Sequence, residues 1–579
     1  MAGLSFYYMK HFFSLMRGWL VALFVLPGLA GPAARAQQAP AWQRPIMPTQ
    51  TDPTITYARV TAADASGNVY VAGILTGTAT FGTTTLTSSG GADLFVAKWN
   101  NGGFVWAQRI GGSGDETPFS LVVNGTSLYL AGVFNGATAT LGNTTLTKIS
   151  TSTRDSDLFV AKLTDMGSTA AFTWVQQVRD VTSATLAVSG PAVYLAGSFV
   201  GNALTVGTIT LATATSLGHG FVAKLTDAGA TSGFVWAQLC GNSAVPGAIA
   251  VSGANVYVAG SFRLLTTPVT FGNTALTSAG GFDIFIVKLA DAGSTSSYVW
   301  AQRTGTTGQE LANALAVRGN TLYLVGTFDN PTVSFGNTTL TSAGAADAFV
   351  AKLTDAGSNA TYTWALRGGG TGDDVANGIA VSGSNLYITG AIGSTTASFG
   401  STTLVNPVSP ANLNGLLANI VDAGNTAGFV WAKQFGGAGP DVAYAPAISG
   451  TTVYVPSFVS PPASFDSQVV TTPTNGPVGI LASLTDPTLT ATSAARGTLS
   501  FSLAPNPART AATVQLPAGL GASTLILTDA LGRTVRTVVA NVPPAGLRHE
   551  LDLNGLVPGL YTVQVRAGNT SGTQRLVVE

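Results

Sequence analysis

One unit recurs seven times along this chain, and that periodicity limits the possible fold more than any other feature. An apolar segment of the form Asn255-Val-Tyr-Val-Ala-Gly-Ser-Phe262 reappears around Tyr70, Tyr129, Tyr194, Tyr257, Tyr323, Tyr387 and Tyr454, at spacings of 59, 65, 63, 66, 64 and 67 residues. A second column is Trp42, Trp106, Trp174, Trp236, Trp300, Trp364 and Trp431, which leaves Trp19 and Trp99 outside the pattern. A third is the turn in Phe81-Gly-Thr, Leu141-Gly-Asn, Val206-Gly-Thr, Phe271-Gly-Asn, Phe335-Gly-Asn, Phe399-Gly-Ser and Phe465-Asp-Ser. Three independent columns agree on seven units.

Each unit reads as strands. Leu311 to Val317 and Leu322 to Phe328 are apolar runs joined by the turn Arg318-Gly-Asn-Thr321, a hairpin composition. A short polar hairpin at Val333 to Leu340 follows, then strands at Asp347 to Leu353 and Tyr362 to Leu366. No window sustains a 3.6-residue apolar period, which excludes helix from the repeats. Four principal strands repeated seven times predict an all-β chain with a seven-bladed β-propeller. The last unit lacks a Trp strand, whereas Ala41-Trp42-Gln-Arg44 stands at the other end with no preceding strands. The expectation is a propeller closed by an N-terminal strand, leaving no unpaired sheet edge. Tandem immunoglobulin-like domains would need longer units, and a solenoid would need capping repeats.

The repeats resemble a bacterial seven-bladed β-propeller repeat family whose units pair a Val-Tyr-Val-Ala-Gly strand with an Asp-x-Phe-Val-Ala-Lys strand. The second motif stands here as Asp93 to Lys98, Asp157 to Lys162, Asp283 to Lys288 and Asp347 to Lys352. His219, Asn414 and Val478 depart from its Asp, and Asn419 and Ser483 from its Lys. The resemblance implies the fold and no single activity. Along a strand this Asp and Lys lie on opposite faces and cannot pair with each other, so each is expected to meet a neighbouring blade or loop.

Both ends carry addresses. Lys10 and Arg17 precede the apolar run Gly18 to Gly31, and Ala34-Arg-Ala36 supplies the small residues of a secretory cleavage site between Ala36 and Gln37. Residues 1–36 are expected to be a signal peptide, and no transmembrane span is expected once it is removed. The predicted propeller occupies residues 37–485 and a polar linker 486–498. Residues 499–579 then read as short strands with Pro and Gly turns, a small immunoglobulin-like β-sandwich. Four segments there (Phe501 to Ala508, Leu527 to Val535, Leu553 to Val563 and Gln574 to Glu579) resemble the C-terminal sorting domain of type IX secretion cargo. The motif residues are Pro505, Asn506, Pro507, Gly532, Gly559 and Tyr561. That resemblance implies the type IX secretion machinery as partner and a secreted or outer cell-surface location in a gram-negative bacterium.

Composition narrows the chemistry. Charged residues make up 9% of the 579, against about 25% in ordinary soluble domains. No basic field exists for nucleic acid. Residues 1–36 hold Lys10, Arg17 and Arg35 and no acid, so the remainder carries 23 basic and 26 acidic side chains, a formal charge of −3. Cys240 is the only cysteine, and only His219 and His549 remain beyond the signal, so neither a thiol nor a histidine mechanism has its partners. The acids that gather after each Trp strand are Asp115, Glu116, Glu310, Asp373, Asp374 and Asp441, in Gly-rich loops such as Gly368-Gly-Gly-Thr-Gly-Asp-Asp374. In a propeller these loops border the channel entrance, so the six residues are candidate ligand contacts, and their oxygens could hold Ca²⁺. Gly for tight turns and Asp to cap the turn backbone explain them better. The expected function is a non-enzymatic extracellular module that binds an unknown ligand or serves adhesion. The alternatives are a glycan-active hydrolase or lyase using the acidic loops, and a structural envelope component.

Overall fold

The computed structural model describes residues 39–579, except 51–54, 101, 151–155, 214–217, 264–267, 330, 408–411, 473–475, 490–496, 500, 518–519, 530–533, 544–545 and 568–569. The predicted signal peptide, its cleavage site at Ala36 and Gln37, most of the predicted linker and Gly532 lie outside the described residues.

The described chain is all-β, as its periodicity predicts. The first six repeats each form an antiparallel sheet whose four principal strands neighbour one another in chain order. In the fifth they are Glu310–Arg318, Thr321–Phe328, Asp347–Asp355 and Ala360–Gly370. The first two are joined at Gly319, whose φ of +61° recurs at Gly125, Gly190, Gly253, Gly383 and Gly450; side chains other than Asn or Asp are strained there. The third strand pairs with the second and fourth, is shielded on both sides, and reads as a continuous apolar run such as Asp-Ala-Phe-Val-Ala. The short hairpin between second and third strands extends from the preceding sheet: Ala139 faces Gly112, Phe399 faces Gly368 and Ser464 faces Gly436.

The seventh repeat has three strands of its own, the first of them interrupted (Val442–Ala443 and Ala447–Ser449, then Thr452–Val459 and Val478–Thr485). Its fourth position is taken by the N-terminal segment. Trp42 bridges Leu484 and Ile46 bridges Leu481, while the Gln43 amide donates to Ser483 O at 2.8 Å. Thr49–Gln50 then pairs with Thr78–Phe81, the hairpin of the first repeat, as other Trp strands pair with the following hairpin. The first strands of successive repeats pack on one another in order, and that of the first repeat packs on the seventh.

Packing between sheets is aromatic and aliphatic. One cluster joins Tyr70 and Trp106 of the first repeat to Leu128, Phe134 and Phe159 of the second. Trp42 sits edge-on to Phe435 and Phe465, both at 5.6 Å between ring centroids. In the C-terminal region, a five-stranded and a three-stranded sheet share a core that includes Phe501, Val514, Leu525, Val563 and Leu576. Truncating buried Trp42 to alanine should cost about 3 to 5 kcal/mol. Denaturant titration checks this, and an unchanged midpoint would separate the N-terminal segment from the last sheet.

Candidate functional site

Five lysines of the repeats, Lys98, Lys162, Lys224, Lys288 and Lys352, each pair with an aspartate of the next sheet. Asp355, the last residue of the third strand of the fifth repeat, accepts three bonds from the fourth: Tyr257 Oη and Lys288 Nζ on Oδ2 at 2.7 and 2.6 Å, and Trp300 Nε1 on Oδ1 at 3.1 Å. Gly357 N also donates to Oδ1, and Lys288 reaches Gly357 O at 3.0 Å. The arrangement recurs at Asp165, Asp227, Asp291 and Asp422. Burial raises the Asp355 carboxyl, but the bonds from Lys288, Tyr257, Gly357 and Trp300 outweigh it and leave the group below the ordinary aspartate value. The repeated Lys therefore meets the neighbouring loop rather than the Asp of its own strand. The accepting Asp was missed in the sequence, although Asp227-Ala-Gly, Asp291-Ala-Gly, Asp355-Ala-Gly and Asp422-Ala-Gly form a column as regular as the tryptophans.

Four of the six acids expected at an exposed entrance lie inside the structure. Glu116, Glu310, Asp374 and Asp441 are 0% exposed; the first three open a first strand and Asp441 directly precedes one. The Asp of the preceding third strand lies against them: a Cβ on Gly305 would collide with both Asp283 and Glu310, and one on Gly369 with both Asp347 and Asp374. Arg109, Arg303 and Arg367 each take one member, pairing with Asp93, Asp283 and Asp347. The other member is held by backbone. Glu310 accepts Thr306 N at 2.9 Å, Asp374 accepts Gly370 N at 2.7 Å, and Asp441 accepts Gly437 N and Ser460 N at 2.8 Å. Among the described residues, buried oxygens without a hydrogen-bond donor remain on Asp93, Glu116 and Asp283, and on Asn414 beside Asp441. Burial, then the Asp93 charge, pushes Glu116 up to about 8, and burial pushes Asp441 up to about 6.

Asp115 and Asp373 stay exposed. Asp115 accepts Ala92 N at 2.8 Å and Asp373 accepts Ala346 N at 3.2 Å, so both brace a neighbouring loop. The six residues therefore do not form one acidic rim. Asp373 does line a cleft of about 470 Å³ between the fifth and sixth repeats, with Gln309, Leu311, Thr327, Asp329, Ala345 and Ala346. Asp329 was not anticipated; it follows the second strand, away from the Gly-rich loops. Among the described residues no three His, Cys, Asp or Glu side chains converge on a metal-sized space. Cys240 is buried, which pushes its thiol up to about 12.

In the C-terminal region Asn506 ties the last strand, donating to Arg575 O at 2.7 Å and accepting Val577 N at 2.9 Å. Pro505 and Pro507 flank it. Gly559 opens the strand Gly559–Ala567, and Tyr561 Oη donates to Val557 O at 2.7 Å.

Comparison with known proteins identifies this region. Residues 502–579 match the secretion system C-terminal sorting domain family. The chain thus carries a type IX sorting domain, and export through that machinery places it outside the cell or on the surface of a gram-negative bacterium. No helix among the described residues is long and apolar enough to cross a membrane. Over 133 residues the chain is 29% identical to the regulatory protein FlaEY of Caulobacter vibrioides, which covers 23% of this chain and 14% of that protein. Solved structures that it matches include a Dyadobacter fermentans protein of unknown function (10% identity, 68% of this chain and 99% of that one, TM-score 0.32). They also include a Trypanosoma rangeli sialidase (10%, 93% and 88%, 0.32) and a family 32 glycoside hydrolase from Bifidobacterium adolescentis (9%, 93% and 78%, 0.25). The expectation of a non-enzymatic chain is corrected by these matches, several of which are enzymes; at such scores they argue for no particular activity.

The raised carboxyls set a direction for pH dependence. Glu116 binds its proton more tightly when folded than the ordinary value of 4.5 allows, so its contribution is greatest below that pH and is lost as pH rises through about 8. The clamp aspartates Asp165, Asp227, Asp291, Asp355 and Asp422, each gripped by a lysine, a tyrosine and a tryptophan and so held low, work in the opposite sense and lose their contribution as pH falls through the folded values. Melting temperature should therefore fall between pH 5 and pH 9, and Glu116→Gln should flatten that fall. An equal slope in the variant would remove Glu116 as its source.

Proposed function

We propose that the chain is an exported seven-bladed β-propeller that takes a neutral glycan in the cleft between its fifth and sixth repeats. In this reading residues 1–36 are the signal, 37–485 the propeller, 486–498 a linker and 499–579 an immunoglobulin-like sandwich that serves sorting. Seven successive sheets, first strands packed in order, and an N-terminal segment occupying the fourth position of the last sheet support ring closure.

The cleft carries the functional reading. Gln309, Thr327, Asp329 and Asp373 set polar groups around an apolar floor of Leu311, Ala345 and Ala346, a lining that suits sugar hydroxyls and ring C–H faces. Binding there would let the exported protein adhere to extracellular or surface polysaccharide. The presence of two carboxylates in one cleft favours a second reading, glycan hydrolysis, which uses such a pair as acid and base or nucleophile.

The mature full-length chain on a neutral-glycan array tests both. Asp329→Asn and Asp373→Asn should each weaken binding about tenfold, the loss of a charge-assisted bond. Hydrolysis predicts reducing-sugar release that either substitution abolishes. Array binding that both variants retain would place the ligand elsewhere.

A further inference from the structure

The seam between the seventh and first repeats departs from the other seams. Four residues after the repeat tyrosine, the second strands carry Ile74, Val133, Ser198, Ser261, Thr327, Ala391 and Phe458. Only Phe458 is aromatic, and it stacks on Tyr57 of the first repeat with ring centroids 4.5 Å apart and planes 7° apart. Five first strands bulge at one shared position, occupied by Arg59, Phe119, Gly247, Asn313 and Asn377. A bulge re-aims its side chain out of the alternating pattern. Asn313 and Asn377 spend their amides on the next first strand, donating to Ala376 O and Ala443 O at 2.9 and 3.1 Å.

Arg59 does not. Its guanidinium lies over the Phe119 ring, 5.6 Å from the centroid. Among the described residues it donates no hydrogen bond and meets no carboxylate at ion-pair distance. It is half-buried, and its charge and the Tyr57 hydroxyl both act on Tyr444. A guanidinium whose face is fixed by an aromatic ring keeps its planar fork of donors ready for a bidentate acceptor. Half-burial strengthens that attraction relative to a freely solvated side chain.

We propose that Arg59, its guanidinium set over the Phe119 ring, binds the carboxylate of an acidic sugar unit in an extracellular polysaccharide. The guanidinium fork takes the carboxylate through two parallel N–H donors. This site involves none of the residues of the cleft between the fifth and sixth repeats, so the two proposals stand or fall separately.

Calorimetric titration of the mature full-length chain tests it with three probes: oligogalacturonate, its neutral methyl ester, and dextran sulfate. Oligogalacturonate should bind at least tenfold more tightly than either of the others. Arg59→Gln should lose that advantage, and Arg59→Lys, which keeps charge without the fork, should lose part of it. Melting temperature should stay unchanged, and Asp329→Asn should bind oligogalacturonate normally. Absence of oligogalacturonate binding, equal affinity for the methyl ester, preference for dextran sulfate, or full affinity in Arg59→Gln overturns the proposal. If Arg59→Gln fails to fold, the acid-to-ester comparison on the unaltered chain still decides it.

Discussion

A buried aspartate that accepts a lysine, a tyrosine and a tryptophan from the preceding repeat governs how neighbouring sheets meet. A carboxylate in that position costs several kcal/mol of desolvation unless it is paired and hydrogen-bonded. At Asp355 both oxygens are occupied and the ammonium of Lys288 neutralises the charge. The Tyr, Lys, Trp and Asp columns are thus one constraint distributed over two repeats, and none of the four has its full set of partners within its own sheet.

The seams that lack the full set show how the parts depend on one another. Between the sixth and seventh repeats Asn419 stands in the Lys column, and Asp486 keeps only Tyr387 from its neighbour. The Thr488 hydroxyl occupies the oxygen that a tryptophan would use, and among the described residues the buried Trp431 N–H has no hydrogen-bond partner. Between the seventh and first repeats Asn101 stands in the aspartate column of the sequence, and among the described residues Trp42 Nε1 is likewise without a partner. There the join depends on the pairing of Thr49–Gln50 with the hairpin of the first repeat and on Gly479 N, which donates to Thr56 Oγ1 at 3.1 Å. That same seam holds the Tyr57 and Phe458 stack, and two residues on from Tyr57 the guanidinium of Arg59 lies over Phe119 of the second repeat.

Low charge acquires a structural meaning from this. With 26 acidic side chains in the whole chain, the clamp aspartates and the buried carboxyl pairs absorb many of them between sheets. The cleft that borders Asp329 and Asp373 stands out because those two acids remain at the surface.

Periodicity was enough to read strands, turns and repeat number, because a pleat of period two, a left-handed glycine at a hairpin and a recurring tryptophan are written in adjacent residues. The sorting domain was legible for the same reason: its Pro505-Asn506-Pro507 and terminal segments are contiguous. Whether an acid is exposed is a different kind of fact. Glu116 and Asp115 are neighbours in the chain, yet one is sealed beneath the previous repeat and the other is at the surface. The partners of Asp355 are 55 to 98 residues away, and the fourth position of the last sheet is filled from more than 400 residues earlier. Local pattern therefore specified the strands, while burial and pairing, which depend on what the neighbouring sheet brings, were settled only when the repeats packed.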